Sequence, residues 1–393
     1  MTNIPRLYLF SALKMALFPM AIITLYWKDQ LGLSLTQIML LQAAFSAATL
    51  LSEYPSGYVG DLLGYRFSLS LASLLGILGW GIYTLASGFY SLLLAEILLG
   101  VSFAFTSGSD SALLYESLKA ENRSCDYHRH DGWMNGWAQI GEAGGALFAG
   151  LMYVWFPLLP FLLQIGVWLT AFAVCRSLEE TPVPSAPPDR NHLRAMADIA
   201  SEALAKPGLR RSTIIYATIL GLTSFYPVWL IQPWMQQNGV PVAWFGPIWA
   251  GANLTVAFFA ILSHRAESRF GMRHLCWGFL LLVGAAYLGL GLFAGTGIFL
   301  FYYLLTMVRG LQGPLIRNSL QQASERRNRA SLLSLKSFCF RLVFVVTAPL
   351  LGILADSRGM ALTFLVLGGC FVLLLLPATR SFLFHQKSAA ALE

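Results

Sequence analysis

The chain has 393 residues, 56% of them hydrophobic and only 11% charged, with a formal net charge of +7. Soluble domains average about 25% charged residues, so this composition excludes an ordinary water-soluble fold and points to an integral membrane protein. Asp, Glu, Lys and Arg are missing from 67–95, 143–175, 212–264, 274–308 and 359–379. Each run reaches the roughly 20 residues that a helix needs to cross a bilayer.

The first apolar stretch, Pro5 to Trp27, is too long for a signal-peptide core and has no small-residue cleavage site after it. It reads as a retained span. The longest uncharged run is interrupted by Gln236-Gln237-Asn238-Gly239-Val240-Pro241, a turn-like break that makes it two spans. The pattern predicts twelve transmembrane helices, near 5–27, 36–59, 67–87, 91–117, 132–155, 157–176, 211–235, 243–263, 274–294, 297–317, 330–354 and 360–382. The expected fold class is therefore an all-α membrane protein of two six-helix bundles.

Connections between these spans alternate in charge. One set is basic: Arg66; Lys119, Arg123 and Arg129; 176–211; Arg265, Arg269 and Arg273; 317–329. The other set is short and carries only Lys28 and Arg358. Lys and Arg collect on cytoplasmic loops, so both termini are expected in the cytoplasm. That bias also accounts for the net charge without nucleic acid. A proline-bearing polar stretch, with Pro182, Pro184, Pro187 and Pro188 before a helical-looking 191–205, falls at the midpoint. The expected organisation is a first bundle at 1–177, a cytoplasmic linker at 178–208, a second bundle at 209–385, and a tail at 386–393. The last residues, Ala389-Ala390-Ala391-Leu392-Glu393, resemble a cloning scar.

Residues 53–66, Glu-Tyr-Pro-Ser-Gly-Tyr-Val-Gly-Asp-Leu-Leu-Gly-Tyr-Arg, place a proline, glycines and a charged turn where a membrane helix should end. Gly57, Asp61, Gly64 and Arg66 are the gating candidates here, and the last three have counterparts in the second half. There, Glu267, Gly271 and Arg273 repeat an acid, then a glycine, then an arginine two residues on. Such positional similarity fits two parallel repeats. Asp61 is expected to cap a helix N-terminus or to pair with a nearby Arg, as a gating element.

On these residues the chain resembles the major facilitator superfamily. The family's loop reads Gly-x-Leu-Ala-Asp-Arg-x-Gly-Arg-Lys; this chain keeps Gly57, Asp61, Gly64 and a basic Arg66 and departs at Leu62 and Tyr65. Glu53-Tyr54-Pro55-Ser56-Gly57 is similar to the Glu-x-Pro-Thr-Gly of one bacterial branch, as are the stretches 107–117, 309–314 and 329–335. The resemblance implies a secondary transporter working by alternating access in a bacterial inner (cell) membrane. It implies a drug- or solute-exporter-like member, although the Gly-Pro pair of the drug/proton antiporters is absent from the fifth span.

Charges within spans need a reason, because each costs several kcal/mol or more, on the order of 3. The first half supplies Lys14, Glu53, Asp110 and Glu142; the second supplies Arg309, Lys336 and Arg341. Asn135, Gln139 and Glu142 fall on one helical face. Asp110, Glu142 and Glu53 are candidates for proton coupling, since a desolvated carboxylate can load and release a proton. The alternative role for Glu53 and Asp110 is to complete a charge network at the cytoplasmic face. Arg309 and Arg341 either neutralise these acids or bind an anionic group of a substrate. Lys14, Asn135 and Gln139, with Tyr226, Trp229 and Gln232 on the seventh span, are further substrate candidates. Glu96 and Glu116 read as solvated span-end residues.

Trp27, Trp155, Trp234 and Trp244 fall at span ends, as an interfacial belt would. His128, His130, His264 and His274 read as solvated loop residues without metal-ligand spacing. The five cysteines are scattered and read as small buried hydrophobes. No Walker-type loop supports ATP drive, no nucleophile–base set supports catalysis, and no metal or cofactor is expected. Expected partners are a small-molecule substrate, protons and membrane lipid, for a monomer. The substrate reads as amphipathic, with an anionic or zwitterionic group, moved by proton-coupled export. The alternative is uptake by proton symport or facilitated diffusion.

Overall fold

A computed structural model of the chain describes residues 3–180, 205, 207–322 and 329–390, with only the backbone of 321–322, 329–331 and 389–390. The expected linker helix at 191–205 lies almost wholly outside the described residues. Every regular element among the described residues is helical. Among the described residues eight helices are long and apolar enough to cross a membrane, or nine if the bent pair Asn3–Ala21 and Ile23–Gln30 counts as one span.

The first compact unit comprises Met1–Pro188 with Pro241–Ala250. Its helices are α1 (Asn3–Met15), α2 (Leu35–Leu63), α3 (Tyr65–Leu85), α4 (Phe89–Thr106), α5 (Ser109–Ala120), α6 (Tyr127–Leu147), α7 (Ala149–Trp155) and α8 (Leu159–Ser177). α2 starts on a capping box: Ser34 Oγ accepts from Gln37 N, and the Gln37 side chain accepts from Ser34 N. α4 packs along both α2 and α3, while α1 packs against α6 and α8. The first predicted span is not one straight helix. Its regular α-helix ends at Met15, irregular turns follow, and Asn3–Ala21 meets Ile23–Gln30 at a bend of 45°. Those turns carry Trp27 inward, fully buried and stacked on Tyr83 at 6.3 Å, instead of into an interfacial belt. Trp155 and Trp244 do stand exposed.

The second unit comprises Asp189–Val240 with Gly251–Glu393. α9 (Leu209–Gln237) runs through Pro227 and Pro233 and packs on α11 (Phe299–Gln322), α12 (Arg329–Arg358) and α13 (Met360–Ala390). α10 (Phe245–Leu292) spans both units in sequence and is interrupted at Gly271. A cluster of Phe225, Trp229, Phe340 and Phe344 forms edge-on ring contacts in this unit's core. Only Cys175 and Cys276 of the five cysteines are buried; Cys125 and Cys370 are exposed.

Candidate functional site

Helix α2 continues one turn past its expected end near residue 59 and stops at Gly64, with φ 95° and ψ 153°. That backbone region is essentially reserved for glycine. Asp61 sits in the last turn of α2, so it cannot cap α3. It accepts a hydrogen bond from the Tyr65 hydroxyl at 3.1 Å. Arg66 does not pair with Asp61 either; its guanidinium donates to the Arg176 carbonyl at 2.6 Å. The cap is Glu180. Its two carboxylate oxygens accept from Tyr65 N and Arg66 N, each at 3.0 Å. Sequence reading assigned Glu180 to the linker. The signal was an acid pair, Glu179-Glu180, directly after the sixth span.

Gly271 repeats the conformation of Gly64, with φ 74° and ψ 154°. It divides α10 at the position matching the boundary between α2 and α3. Glu267 precedes it by one turn, and Arg273 follows it, exposed. A Cβ at Gly64 would meet the Glu180 carboxyl carbon at 2.5 Å, whereas one at Gly271 would meet none of the described residues within 4 Å.

The fourth predicted span is broken at Gly108, whose φ of 86° separates α4 from α5. Asp110 therefore lies in the first turn of a helix, where an anion favours the dipole, and not in a helix middle. Its Oδ1 accepts from Ser111 N at 2.8 Å. Its Oδ2 forms an ion pair with Lys14 Nζ, from the last turn of α1. The Asp110 side chain is 4% exposed and that of Lys14 22%. The proton-coupling candidate Asp110 and the substrate candidate Lys14 are thus direct partners.

Around this pair, Ser68 Oγ meets Ser109 Oγ at 3.0 Å. Towards the basic end, the amide of Asn3 donates to Ser117 Oγ and the Glu179 carbonyl and accepts from Glu179 N, all at 2.9 Å. His130 is not a solvated loop residue. Arg123 can only donate to its Nε2, at 3.2 Å, so Nδ1 carries the proton and donates to the Tyr8 hydroxyl at 2.5 Å. Arg123 is also clamped by Asp126 and Glu121, each at 3.1 Å, and the Asp126 hydrogen bond leads in raising its pKa.

Glu96 corrects a second expectation. It is 3% exposed, inside the packing of α2, α3 and α4. The Tyr83 hydroxyl donates to its Oε1, and the Gln42 amide donates to Oε2 at 3.3 Å. The only sequence clue was an acid seven residues into an otherwise apolar span.

Glu53 and Glu142 are partly buried, while Asn135 and Gln139 are exposed. Asn135 donates to the Asp131 carbonyl at 2.9 Å. In the second unit, Arg309 is exposed and Arg341 partly buried. Tyr226, Trp229 and Gln232 are buried and contribute to helix packing instead of lining open space. Tyr226 bonds Thr347 and lies between Phe344 and Phe371, because α9 turns this face to α12 and α13. Among the described residues no His, Cys, Asp or Glu group could hold a metal ion.

A family model described as Major Facilitator Superfamily matches residues 7–342. A Bacillus subtilis (strain 168) protein, described as the uncharacterized MFS-type transporter YxaM, is 24% identical over 391 residues, covering 94% of this chain and 93% of that one. The nucleoside transporter NupG shares the fold at a TM-score of 0.81 with 13% identity, over 97% of this chain and 99% of that one. A bacterial homolog of the human lysosomal transporter Spinster gives 0.74 with 16% identity, over 98% and 97%. A POT family transporter in complex with a thioalcohol-conjugated peptide gives 0.73 with 15% identity, over 95% and 94%.

Proposed function

Because this chain belongs to the major facilitator superfamily, we propose that it is a proton-coupled secondary transporter exporting a small amphipathic molecule with an anionic or zwitterionic group. It works by alternating access in the inner membrane of a bacterium, with both termini cytoplasmic. We count twelve spans in this reading. The bent first pair counts as one span, α10 divides at Gly271, and the polar faces of α6–α7 and of α11 belong to spans too rich in polar residues to stand out by hydropathy.

The Lys14–Asp110 pair carries the reading. Protonating Asp110 removes one partner of the ion pair and releases Lys14. A proton and a substrate anion can therefore compete for one pair. Glu142 is the second proton candidate. Arg309 and Arg341 supply the positive charge in the second unit for the anionic group of the substrate. The relatives transport nucleosides and peptides by their names, and this chain's cations favour the charged end of such a range.

Purified protein in liposomes, with an imposed pH gradient and an internal pH dye, tests the reading against a panel of nucleosides, peptides and amphipathic anions. Gradient-dependent flux of a charged member with matching proton movement is expected. Flux of every panel member without proton movement would remove the coupling, and accumulation towards the cytoplasmic side would replace export by uptake.

A further inference from the structure

The second unit holds a cavity of about 500 Å³ between the two arms of α10 and helix α11. Its floor is apolar, with Phe259, Phe279 and Leu311; Arg265, Arg269 and His274 stand at one end. On the same helices Ile261 and Leu281 are 79% and 72% exposed, as membrane-facing side chains are. We propose that this groove binds an anionic phospholipid, its acyl chain on the apolar floor and its phosphate at Arg265, Arg269 and His274.

Charge complementarity carries the choice of occupant. No carboxylate among the described residues lies within ion-pair distance of Arg265 or Arg269. The Arg269 guanidinium instead rests over the Phe270 ring, 5.8 Å from its centroid. His274 Nδ1 donates to the Phe270 carbonyl at 2.8 Å, which leaves Nε2 to accept from a headgroup hydroxyl in the neutral ring, or to donate to phosphate as imidazolium. The repeat sharpens the point. In the first unit the glycine turn is filled by the Glu180 carboxylate; in the second, no described residue lies within 4 Å of a Cβ built at Gly271. An anion from the membrane takes the corresponding place. The apolar floor favours a lipid phosphate over a free one, and basic pockets between membrane helices bind such headgroups. This site does not depend on which solute is carried.

Native mass spectrometry of the full-length protein, titrated with phosphatidylglycerol or phosphatidylcholine, tests it. Wild type should retain phosphatidylglycerol preferentially. Arg265→Gln with Arg269→Gln should weaken that retention roughly thirtyfold, at about fivefold per basic residue, and leave phosphatidylcholine unchanged. A Cβ at Gly278 meets nothing within 4 Å, so Gly278→Phe extends into the groove and should displace the lipid with every charge kept. Arg358→Gln, outside the groove, should change nothing. Equal retention of both lipids by wild type would overturn the proposal without reference to any variant. So would retention indifferent to both groove changes, or displacement by soluble glycerol phosphate.

Discussion

Lys14 and Asp110 form an ion pair that joins the last turn of α1 to the first turn of α5, inside the first unit. Each charge also suits its helix end, cation at a C-terminus and anion at an N-terminus. Removing one partner strands the other. Lys14→Met or Asp110→Asn alone should cost about 3–5 kcal/mol, and the double change should recover most of it. Thermal unfolding of the three variants in detergent reads this as a coupling. Additive losses would mean the two residues act separately.

The two glycine turns differ only in what faces them, and that difference is measurable. Gly64→Ala should be destabilised both by its backbone region, about 1–3 kcal/mol, and by collision with Glu180. Gly271→Ala should carry the backbone cost alone. In a Glu180→Ala background the gap between the two should narrow. An equal loss at both positions in wild type would argue against Glu180 as the cap.

Glu96 offers a third test. Glu96→Gln keeps an acceptor for the Tyr83 hydroxyl and should shift stability by less than about 1 kcal/mol. Glu96→Leu leaves Tyr83 and Gln42 buried and unsatisfied, at about 1–3 kcal/mol for each orphaned group. Thermal unfolding of Gln and Leu variants separates the outcomes. Equal stability would show that these hydrogen bonds contribute nothing.

Family and helical architecture were legible because both rest on periodic, local signals: uncharged runs of membrane length and the Gly57–Arg66 pattern. The correspondence of Gly64 and Gly271 was legible too, and both adopt a glycine-only conformation. Partnerships were not. Asp110 and Lys14 are 96 residues apart, and nothing in either local sequence names the other. Glu180 looked like linker because its role depends on α8 ending beside α3. Tyr226 and Trp229 looked like cavity residues because helical spacing gives a face but not the neighbour that the face meets. Trp27 was misplaced for the opposite reason: a break after Met15 leaves no hydropathy trace.

Coupling at Asp110 is the central claim, and the most direct measurement compares two modes of transport in liposomes. For a substrate found by the panel, exchange at equal pH requires binding and alternation but no net proton movement. Accumulation against a gradient requires both. Asp110→Asn should retain exchange, which also shows that the variant is folded, and lose gradient-driven accumulation. Accumulation at the wild-type level in Asp110→Asn would contradict the account.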